Sequence, residues 1–144
     1  MTRAIRLFFF LLSCHAALGT TVIPTDYIQL TPTNAAGHDV SFSYGQTNEY
    51  VTVILPYTKD ELSFDGAFLE CTNAARHLYV PVKGIHPSVV QGEKDVILIS
   101  FRMDRELVRE CTLKVYFTKG ITKGIMYVLT LADFVSRVEP SPQK

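Results

Sequence analysis

Histidine is the first residue type here that could carry chemistry, because neutral imidazole is the commonest metal ligand in proteins. The four histidines are His15, His38, His77 and His86, which stand far apart along the chain. A blue-copper centre needs a histidine soon after its cysteine, and none follows Cys111. A zinc site would need His38, His77 and His86 to converge in space. Scattered histidines are more often surface residues, so we predict no metal and no other cofactor.

Nucleophilic or acid–base catalysis finds little support in the remaining residues. The GxSxG motif of hydrolases and the Gly-rich motifs that hold phosphates are absent from the sequence. Carboxylates cluster at residues 59–61 and 104–110, yet both segments mix acidic with basic side chains, as solvated loops do. We therefore predict a protein that is not an enzyme. An extracytoplasmic enzyme with an unrecognised site is one alternative.

Residues 1–19 have the pattern of a secretory signal peptide. Arg3 and Arg6 precede an uninterrupted apolar run, and the small residues Ala17 and Gly19 follow it. The run is shorter than the ~20 residues that a transmembrane helix needs. We predict cleavage near Gly19 and a protein that is secreted, periplasmic or displayed at the cell surface, without a transmembrane segment.

A lipid anchor is the alternative reading of the same segment. The tetrapeptide Leu-Leu-Ser-Cys that ends at Cys14 resembles a bacterial lipobox, in which the cysteine becomes the lipidated first residue. Leu12 stands where a small residue is more usual. We therefore prefer signal cleavage near Gly19 to lipidation at Cys14.

Cys71 and Cys111 are the cysteines that remain after the signal peptide, and an oxidising compartment favours a disulfide bond between them. The bond would either bridge two sheets or join neighbouring strands. Two buried free thiols are the alternative. No CxxC motif is present, so redox chemistry of the thioredoxin kind is not indicated.

Composition indicates one packed domain without an electrostatic partner. Hydrophobic residues make up 47% and charged residues 19% of the chain, which is ordinary for a globular domain. Lys and Arg number 14, as do Asp and Glu, so binding to nucleic acid or to an anionic membrane is unsupported. We predict a domain at residues 20–135 and a disordered tail at residues 136–144.

Residues 110–131 carry the clearest structural signal. From Cys111 to Phe117 every second residue is apolar, which is the two-residue period of a half-buried strand. A Lys-Gly-Ile-Thr-Lys-Gly connection leads to a second apolar run at residues 125–131. This pattern predicts a long hairpin with Cys111 on its inward face.

Short strand-like segments recur along the chain, with Gly, Pro and Asn between them and no long amphipathic helix. This pattern predicts an all-β fold, a single-domain antiparallel β-sandwich of about eight short strands, immunoglobulin-like or transthyretin-like. Residues 95–101 read as a central strand covered on both faces. Pro56 and Pro81 are predicted to protect edge strands. Residues 57–66 are predicted to be irregular.

Two surface segments are candidates for recognition of a partner. The loop at residues 83–94 carries apolar side chains beside polar ones, and residues 102–110 form a charged cluster. Both segments also have plain structural explanations, as side chains that cap the core and as a solvated connection. The candidate binding residues are Ile85, His86, Val89, Arg102, Arg105 and Arg109.

Together these features predict an exported binding or accessory protein that recognises a protein, glycan or envelope component through surface loops or an edge strand. The main alternative is a carrier of a small apolar ligand between the sheets. A carrier needs an enclosed apolar cavity of several hundred Å³, whereas an adaptor needs an exposed apolar patch.

Replacement of one cysteine tests the predicted disulfide. Cys111→Ser should lower thermal stability markedly under non-reducing conditions, because a closed loop of about 41 residues restricts the unfolded chain by ~4 kcal/mol on a chain-entropy argument. A function carried by the surface should be unchanged. Thermal unfolding followed by circular dichroism measures the effect, and equal melting temperatures for the variant and the native protein would contradict the disulfide.

Overall fold

The computed structural model describes residues 26–73, 76–85, 95–121 and 123–135. The predicted signal peptide, Cys14 and the predicted tail at residues 136–144 lie outside these ranges. Within them the chain is mostly β-strand.

Ten strands lie in the described ranges: β1 (Asp26–Leu30), β2 (Ser41–Gly45), β3 (Tyr50–Pro56), β4 (Thr58–Lys59), β5 (Leu62–Asn73), β6 (Arg76–Val82), β7 (Gly84–Ile85), β8 (Val96–Arg102), β9 (Cys111–Lys119) and β10 (Lys123–Thr130). The short helices there are a 3₁₀ helix (Ala35–His38), α1 (Arg105–Val108) and α2 (Leu131–Val135). Eight of the ten strands have five residues or more, in line with the predicted number.

The strands form two hydrogen-bonded sheets, which we call the large sheet and the small sheet. The large sheet has the order β1-β10-β9-β5, and both β4 and β6 pair with the other side of β5. The small sheet has the order β2-β3-β8-β7. The described pairs are antiparallel except for β1 with β10, which is parallel, so the predicted purely antiparallel arrangement is wrong at that pair.

The predicted hairpin is confirmed in β9 and β10. Every second residue of β9 from Cys111 to Phe117 is buried, and the residues between them are half-buried. β10 pairs with β9 along its whole length, from Lys123 opposite Lys119 to Thr130 opposite Thr112. The period of two in the sequence therefore does reflect one face turned to the core.

β5 begins inside residues 57–66, so the prediction of an irregular segment there is wrong. A tight turn at Asp60 and Glu61, with φ of 48° and 65°, connects β4 to β5. Hairpin turns of this kind usually contain Asn or Gly, which is why the sequence did not reveal it. A β-bulge between Phe64 and Gly66 then shifts the register by one residue. Inward positions are even-numbered before the bulge and odd-numbered after it, so the alternation is broken.

β8 is an inner strand, as predicted, but only one of its faces is buried. Ile97 and Ile99 are buried, whereas Leu98 is half-buried and Ser100 is exposed. The prediction of a strand covered on both faces is wrong, because the outer face of the small sheet remains in contact with solvent. Ile54, which pairs with Leu98 on that face, is 39% exposed.

Proline marks an edge strand in one of the two predicted places. β6 pairs only with β5 among the described strands, so Pro81 lies on an edge, as predicted. β3 lies between β2 and β8, so the prediction of an edge at Pro56 is wrong. The inner strand tolerates this proline because it is the last residue of β3, opposite Val96.

Buried side chains of both sheets belong to one continuous hydrophobic cluster. Its fully buried members include Leu113 and Phe117 of the large sheet and Val53 and Ile99 of the small sheet. The helix α2, for which the sequence showed no signal, adds three buried side chains to this cluster. The two sheets therefore share one core.

The chain passes from the large sheet to the small sheet at Lys83. β6 ends one residue earlier, and β7 begins one residue later at Gly84. A Cβ atom on Gly84 would lie 2.6 Å from Phe64 Cζ and 2.9 Å from Ile97 Cγ2. Both distances are below van der Waals contact, so the crossing favours glycine because of this close approach.

The contact at Gly84 predicts that Gly84→Ala lowers the free energy of unfolding by about 1–3 kcal/mol, because an added methyl group overpacks the core. Gly37→Ala is the control, since nothing lies within 4 Å of its Cβ position. Urea denaturation measures both variants. In a Phe64→Leu background the same glycine change should lower the free energy of unfolding by less, because leucine lacks the ring atom that contacts the added methyl group. An unchanged urea midpoint for Gly84→Ala would show that the contact is not tight.

Candidate functional site

An apolar pocket of about 360 Å³ lies where the chain changes sheets. Its walls come from β5 and β6 on the large-sheet side and from the end of β8 and α1 on the small-sheet side. Clefts from about 300 Å³ upward can hold small ligands. The apolar lining includes Leu69, Val80, Val82, Phe101, Met103 and Leu107.

The pairing of β5 with β6 places one wall of the pocket. Leu69 lies opposite Val80, and Ala67 lies opposite Val82. Because side chains alternate across a strand, these residues share the face of the large sheet that points to the core. β6 has no second strand neighbour in the described ranges, and Val80 is 45% exposed. The pocket is therefore open to solvent along the β6 edge.

The helix α1 forms part of the opposite wall. The Asp104 carboxylate accepts hydrogen bonds from the backbone N–H groups of Glu106, at 3.1 Å, and Leu107, at 2.8 Å. This N-cap fixes the start of the helix. The sequence left a short helix or a bent connection open here, and the short helix is observed. It brings Leu107 to the pocket, beside Phe101 and Met103.

β8 has an open edge beside the pocket. Met103 N donates to Glu49 O at 2.8 Å, which continues the pairing of β8 with β3. Because hydrogen-bonded pairs alternate along antiparallel strands, the odd-numbered residues of β8 bond to β3 and the even-numbered ones point the other way. β7 covers that other side only as far as Ile99. Within the described ranges, no strand faces the peptide N–H of Arg102.

Cys71, which lines the pocket, faces Cys111 across β5 and β9. The two sulfur atoms lie 1.98 Å apart, at disulfide distance, and the Cα atoms lie 4.1 Å apart. Of the two arrangements that the sequence left open, this is the pairing of neighbouring strands. Both cysteines are buried, and of the two Cys71 belongs to the pocket lining.

The charged residues among the described lining are basic. They are Lys83 and Arg102, and the described part of the lining contains no carboxylate. Arg102 pairs with Tyr50, so its side chain lies on the outer face of the small sheet. Arg102 Nη2 lies 3.3 Å from Glu49 Oε2, and the side chain of Arg102 is 69% exposed. An exposed pair of this kind contributes at most about 1 kcal/mol, so it holds the guanidinium only weakly.

The structure separates the predicted binding residues. Arg102 lines the pocket, whereas Arg105 and Arg109 lie exposed at the ends of α1 and outside the lining. Ile85 is the last residue of β7. His86 and Val89 lie outside the described ranges. The apolar residues of the pocket had no local signal in the sequence, because they come from four separate elements.

Metal ligands are not grouped in the part of the chain that the structure describes. No set of three His, Cys, Asp or Glu side chains there could hold an ion. His38 packs edge-on against the ring of Tyr127, with the centroids 5.7 Å apart. His86, the third histidine of the zinc alternative, lies outside the described ranges.

A pair of polar atoms is buried in the core. Within the described ranges, His38 Nδ1 and Tyr127 Oη have no hydrogen-bond partner. Burial raises the pKa of Tyr127 to about 12, and the carboxylates of Asp60 and Asp39 add to the shift. Neither residue lines the pocket. These unpaired polar atoms lower the stability of the core and do not belong to the candidate site.

Aromatic side chains lie together on the outer face of the large sheet. The ring of Phe68 stacks on Tyr79 at a centroid distance of 4.9 Å and meets Tyr116 edge-on at 5.4 Å. Met126 lies between Tyr116 and Tyr27 in the strand register. Tyr27 is 62% and Tyr79 is 54% exposed. We call Tyr27, Phe68, Tyr79 and Tyr116 the aromatic stripe; it was not predicted from the sequence.

Comparison with known proteins gave no assignment: no protein-family model matches the chain, and no curated protein matches it significantly. Among the residues that the structure describes, no helix has the length and apolar character needed to cross a membrane.

We expect removal of the buried Tyr127 hydroxyl to change the free energy of unfolding at alkaline pH. Tyr127→Phe should unfold at pH 7 with equal or higher free energy, by up to about 1–3 kcal/mol, because the hydroxyl is buried without a partner. The pKa of Tyr127 rises from 10.0 to about 12 on folding. The unfolded chain therefore releases this proton at lower pH than the folded protein does, so the native protein loses stability as the pH rises from 10.0 towards about 12.

Urea denaturation between pH 7 and pH 11 measures this effect. The Tyr127→Phe variant should lose less stability above pH 10 than the native protein does. Tyr50→Phe is the control, since Tyr50 is 46% exposed. A Tyr127→Phe variant that is clearly less stable at pH 7, or equally sensitive to alkali, would show that the hydroxyl is stabilised in the fold.

Proposed function

We propose that this protein binds an apolar ligand in the pocket between its two sheets. The observation that supports this proposal is the pocket of about 360 Å³ with its predominantly apolar lining. It supports the ligand-carrier alternative in a modified form, in which the apolar cavity is open along β6 rather than enclosed. The opening along β6, where Val80 is 45% exposed, is the route by which a ligand enters.

The protein is proposed to be a binding protein and not an enzyme. Among the described residues, those that line the pocket include no carboxylate and no imidazole. Ser100 belongs to the lining, but a serine needs an adjacent general base to act as a nucleophile. The chemistry of this lining supports retention of a ligand better than its conversion.

The finer description of the fold belongs to the same proposal. The two sheets pack as an immunoglobulin-like or transthyretin-like sandwich, which is supported by the single hydrophobic cluster that contains buried residues of both. The protein is exported after cleavage near Gly19, and Cys71 and Cys111 are oxidised. The pairing of Cys71 opposite Cys111 on neighbouring strands supports the bond, and a disulfide bond suits an oxidising compartment.

Recognition of a partner through the aromatic stripe is the second candidate function. Exposed aromatic side chains are enriched at binding surfaces because they bury a large area with few rotatable bonds. Tyr27 and Tyr79 are both more than half exposed. This surface matches the exposed apolar patch expected of an adaptor, and it lies on the opposite side of β6 from the pocket.

A tryptophan placed on either side of β6 separates the two candidates. Val80→Trp should weaken binding of the neutral apolar dye Nile red by about tenfold or more, because the indole ring fills the mouth of the pocket. Tyr79→Trp is the matched control, since it changes the next residue on the opposite face. The chain contains no native tryptophan, so the emission of each variant reports on its own surface.

Dye fluorescence and tryptophan emission give the readouts. The pocket proposal requires that Nile red binds the native protein and the Tyr79→Trp variant alike, and that only Val80→Trp loses binding. Loss of Nile red binding in Tyr79→Trp alone would indicate that the aromatic stripe, and not the pocket, is the binding site. Absence of dye binding to the native protein would overturn the pocket proposal.

A further inference from the structure

We infer that the ligand of the pocket is an extended polypeptide segment of a partner, which adds a short strand to the open edge of β8 and places two apolar side chains in the pocket. This inference rests on the proposed function, because it names the class of ligand for the same pocket. The reason is that the pocket lies beside backbone groups of β8 that no described strand covers. An extended peptide backbone pairs with such groups.

The open edge consists of the last residues of β8, Phe101 and Arg102, and of Met103, which follows them. β7 pairs with β8 only as far as Ile99. Met103 N donates to Glu49 O, so the odd-numbered residues bond to β3 and Arg102 turns its own N–H and C=O to the opposite side. Within the described ranges no strand pairs with that side of Arg102.

These two backbone groups distinguish a peptide from a small apolar ligand. A ligand without hydrogen-bonding groups that covered the edge would take the N–H and C=O of Arg102 away from water and leave both unpaired, which is unfavourable. A peptide residue opposite Arg102 would instead bond to both groups, as residues of neighbouring antiparallel strands do. The edge therefore favours a polypeptide backbone.

The register of the added strand determines which peptide side chains enter the pocket. Paired residues of neighbouring strands lie on the same face of a sheet. Arg102 pairs with Tyr50 on the outer face, whereas Phe101 and Met103 line the pocket. The peptide residue opposite Arg102 therefore points to solvent. The residues before and after it, opposite Met103 and Phe101, point into the pocket.

The pocket suits two aliphatic side chains at these positions. Leu69, Val82 and Leu107 complete the apolar lining around Phe101 and Met103. The volume of about 360 Å³ is near the lower end of the range for small-molecule sites, so a large ring system fits poorly. We therefore expect Leu, Ile or Val on either side of the central peptide residue.

The outer face of the edge favours an acidic central residue. The side chain of Arg102 is 69% exposed, and its exposed pair with Glu49 holds it only weakly. The register of β7 with β8, extended by one residue, places Lys83 beside Ser100 on the same face. Lys83 is exposed, without an ion-pair partner in the described part of the chain. Charge complementarity thus predicts an apolar–acidic–apolar segment.

Two neighbours limit the length of the added strand. Lys83 occupies the next position along β8 at one end, and Asp104 caps the helix α1 at the other. The strand therefore spans three residues, and a longer peptide must bend away after its second apolar residue. An antiparallel direction matches both described neighbours of β8, the strands β3 and β7.

Calorimetric titration with the peptide acetyl-Thr-Leu-Glu-Leu-amide tests the inference. This peptide should bind the native protein and displace Nile red, and Val80→Trp should weaken it by about tenfold or more, because the indole ring fills the pocket. Methylation of the glutamate nitrogen should also weaken it about tenfold, because that N–H bonds to Arg102 O. Methylation of the second leucine nitrogen is the matched control, since that N–H points away from β8.

Replacement of Arg102 tests the same contact from the protein side. Proline at this open edge is compatible with the fold, because the N–H that it removes bonds to no described strand. Arg102→Pro should weaken the peptide by about tenfold or more. Arg102→Ala keeps the N–H and should weaken it only about two- to fivefold, through loss of the pair with glutamate. Circular dichroism checks that both variants are folded.

Lysine variants separate the local charge from general charge effects. Lys83→Gln should weaken the peptide by about two- to fivefold. Lys123→Gln removes an exposed lysine at the start of β10, outside the described pocket lining, and should leave the affinity unchanged.

The outcomes separate this inference from the proposed function. Dye binding that is lost in Val80→Trp, without any binding of the peptide, would overturn the polypeptide ligand and leave the pocket standing. Failure of both the dye and the peptide would overturn both. Equal affinities of the unmodified peptide and the peptide methylated at glutamate would overturn strand addition.

Other occupants of the edge would be recognised in the same experiments. Tighter binding of decanol than of the peptide would replace the polypeptide with a free apolar ligand. Dimers in sedimentation velocity that the peptide dissociates would replace the partner with a second copy of this chain. Either result would overturn the inference.

Discussion

The close approach of the two sheets at Gly84 is the constraint on which the rest of the described structure depends. Within one residue the chain leaves β6 of the large sheet and starts β7 of the small sheet. The backbone can lie this close to Phe64 and Ile97 because glycine has no Cβ atom. The crossing thereby sets the separation of the sheets at this end and lets their buried side chains join one cluster.

The pocket is a consequence of the same crossing. β7 is only two residues long, so the last part of β8 has a strand on one side and the apolar face of β6 across from it. The helix α1 narrows this gap with Leu107, which the Asp104 cap holds in place. The result is a predominantly apolar cleft between the β6 edge and the end of β8.

Much of the strand content could be predicted from local periodicity, and the exceptions have physical causes. β9 alternates strictly because its inward face is buried along its length, and the sequence shows it. β5 does not, since the bulge after Phe64 moves its inward face by one residue. β8 carries apolar residues on both faces, but only one face is buried. Periodicity reports the residue types and does not show which face another element covers.

The candidate site could not be predicted in the same way, since its walls meet only through long-range topology. Arg102 was a candidate because of its charged neighbours in sequence, yet it lines the pocket because β8 ends there. Val80 and Tyr79 showed no signal, although the period of two puts them on opposite faces of β6. The pocket and the aromatic stripe are therefore back to back on β6, which among the described strands pairs with β5 alone. A ligand bound in the proposed pocket would therefore contact the same strand that presents Tyr79 to solvent.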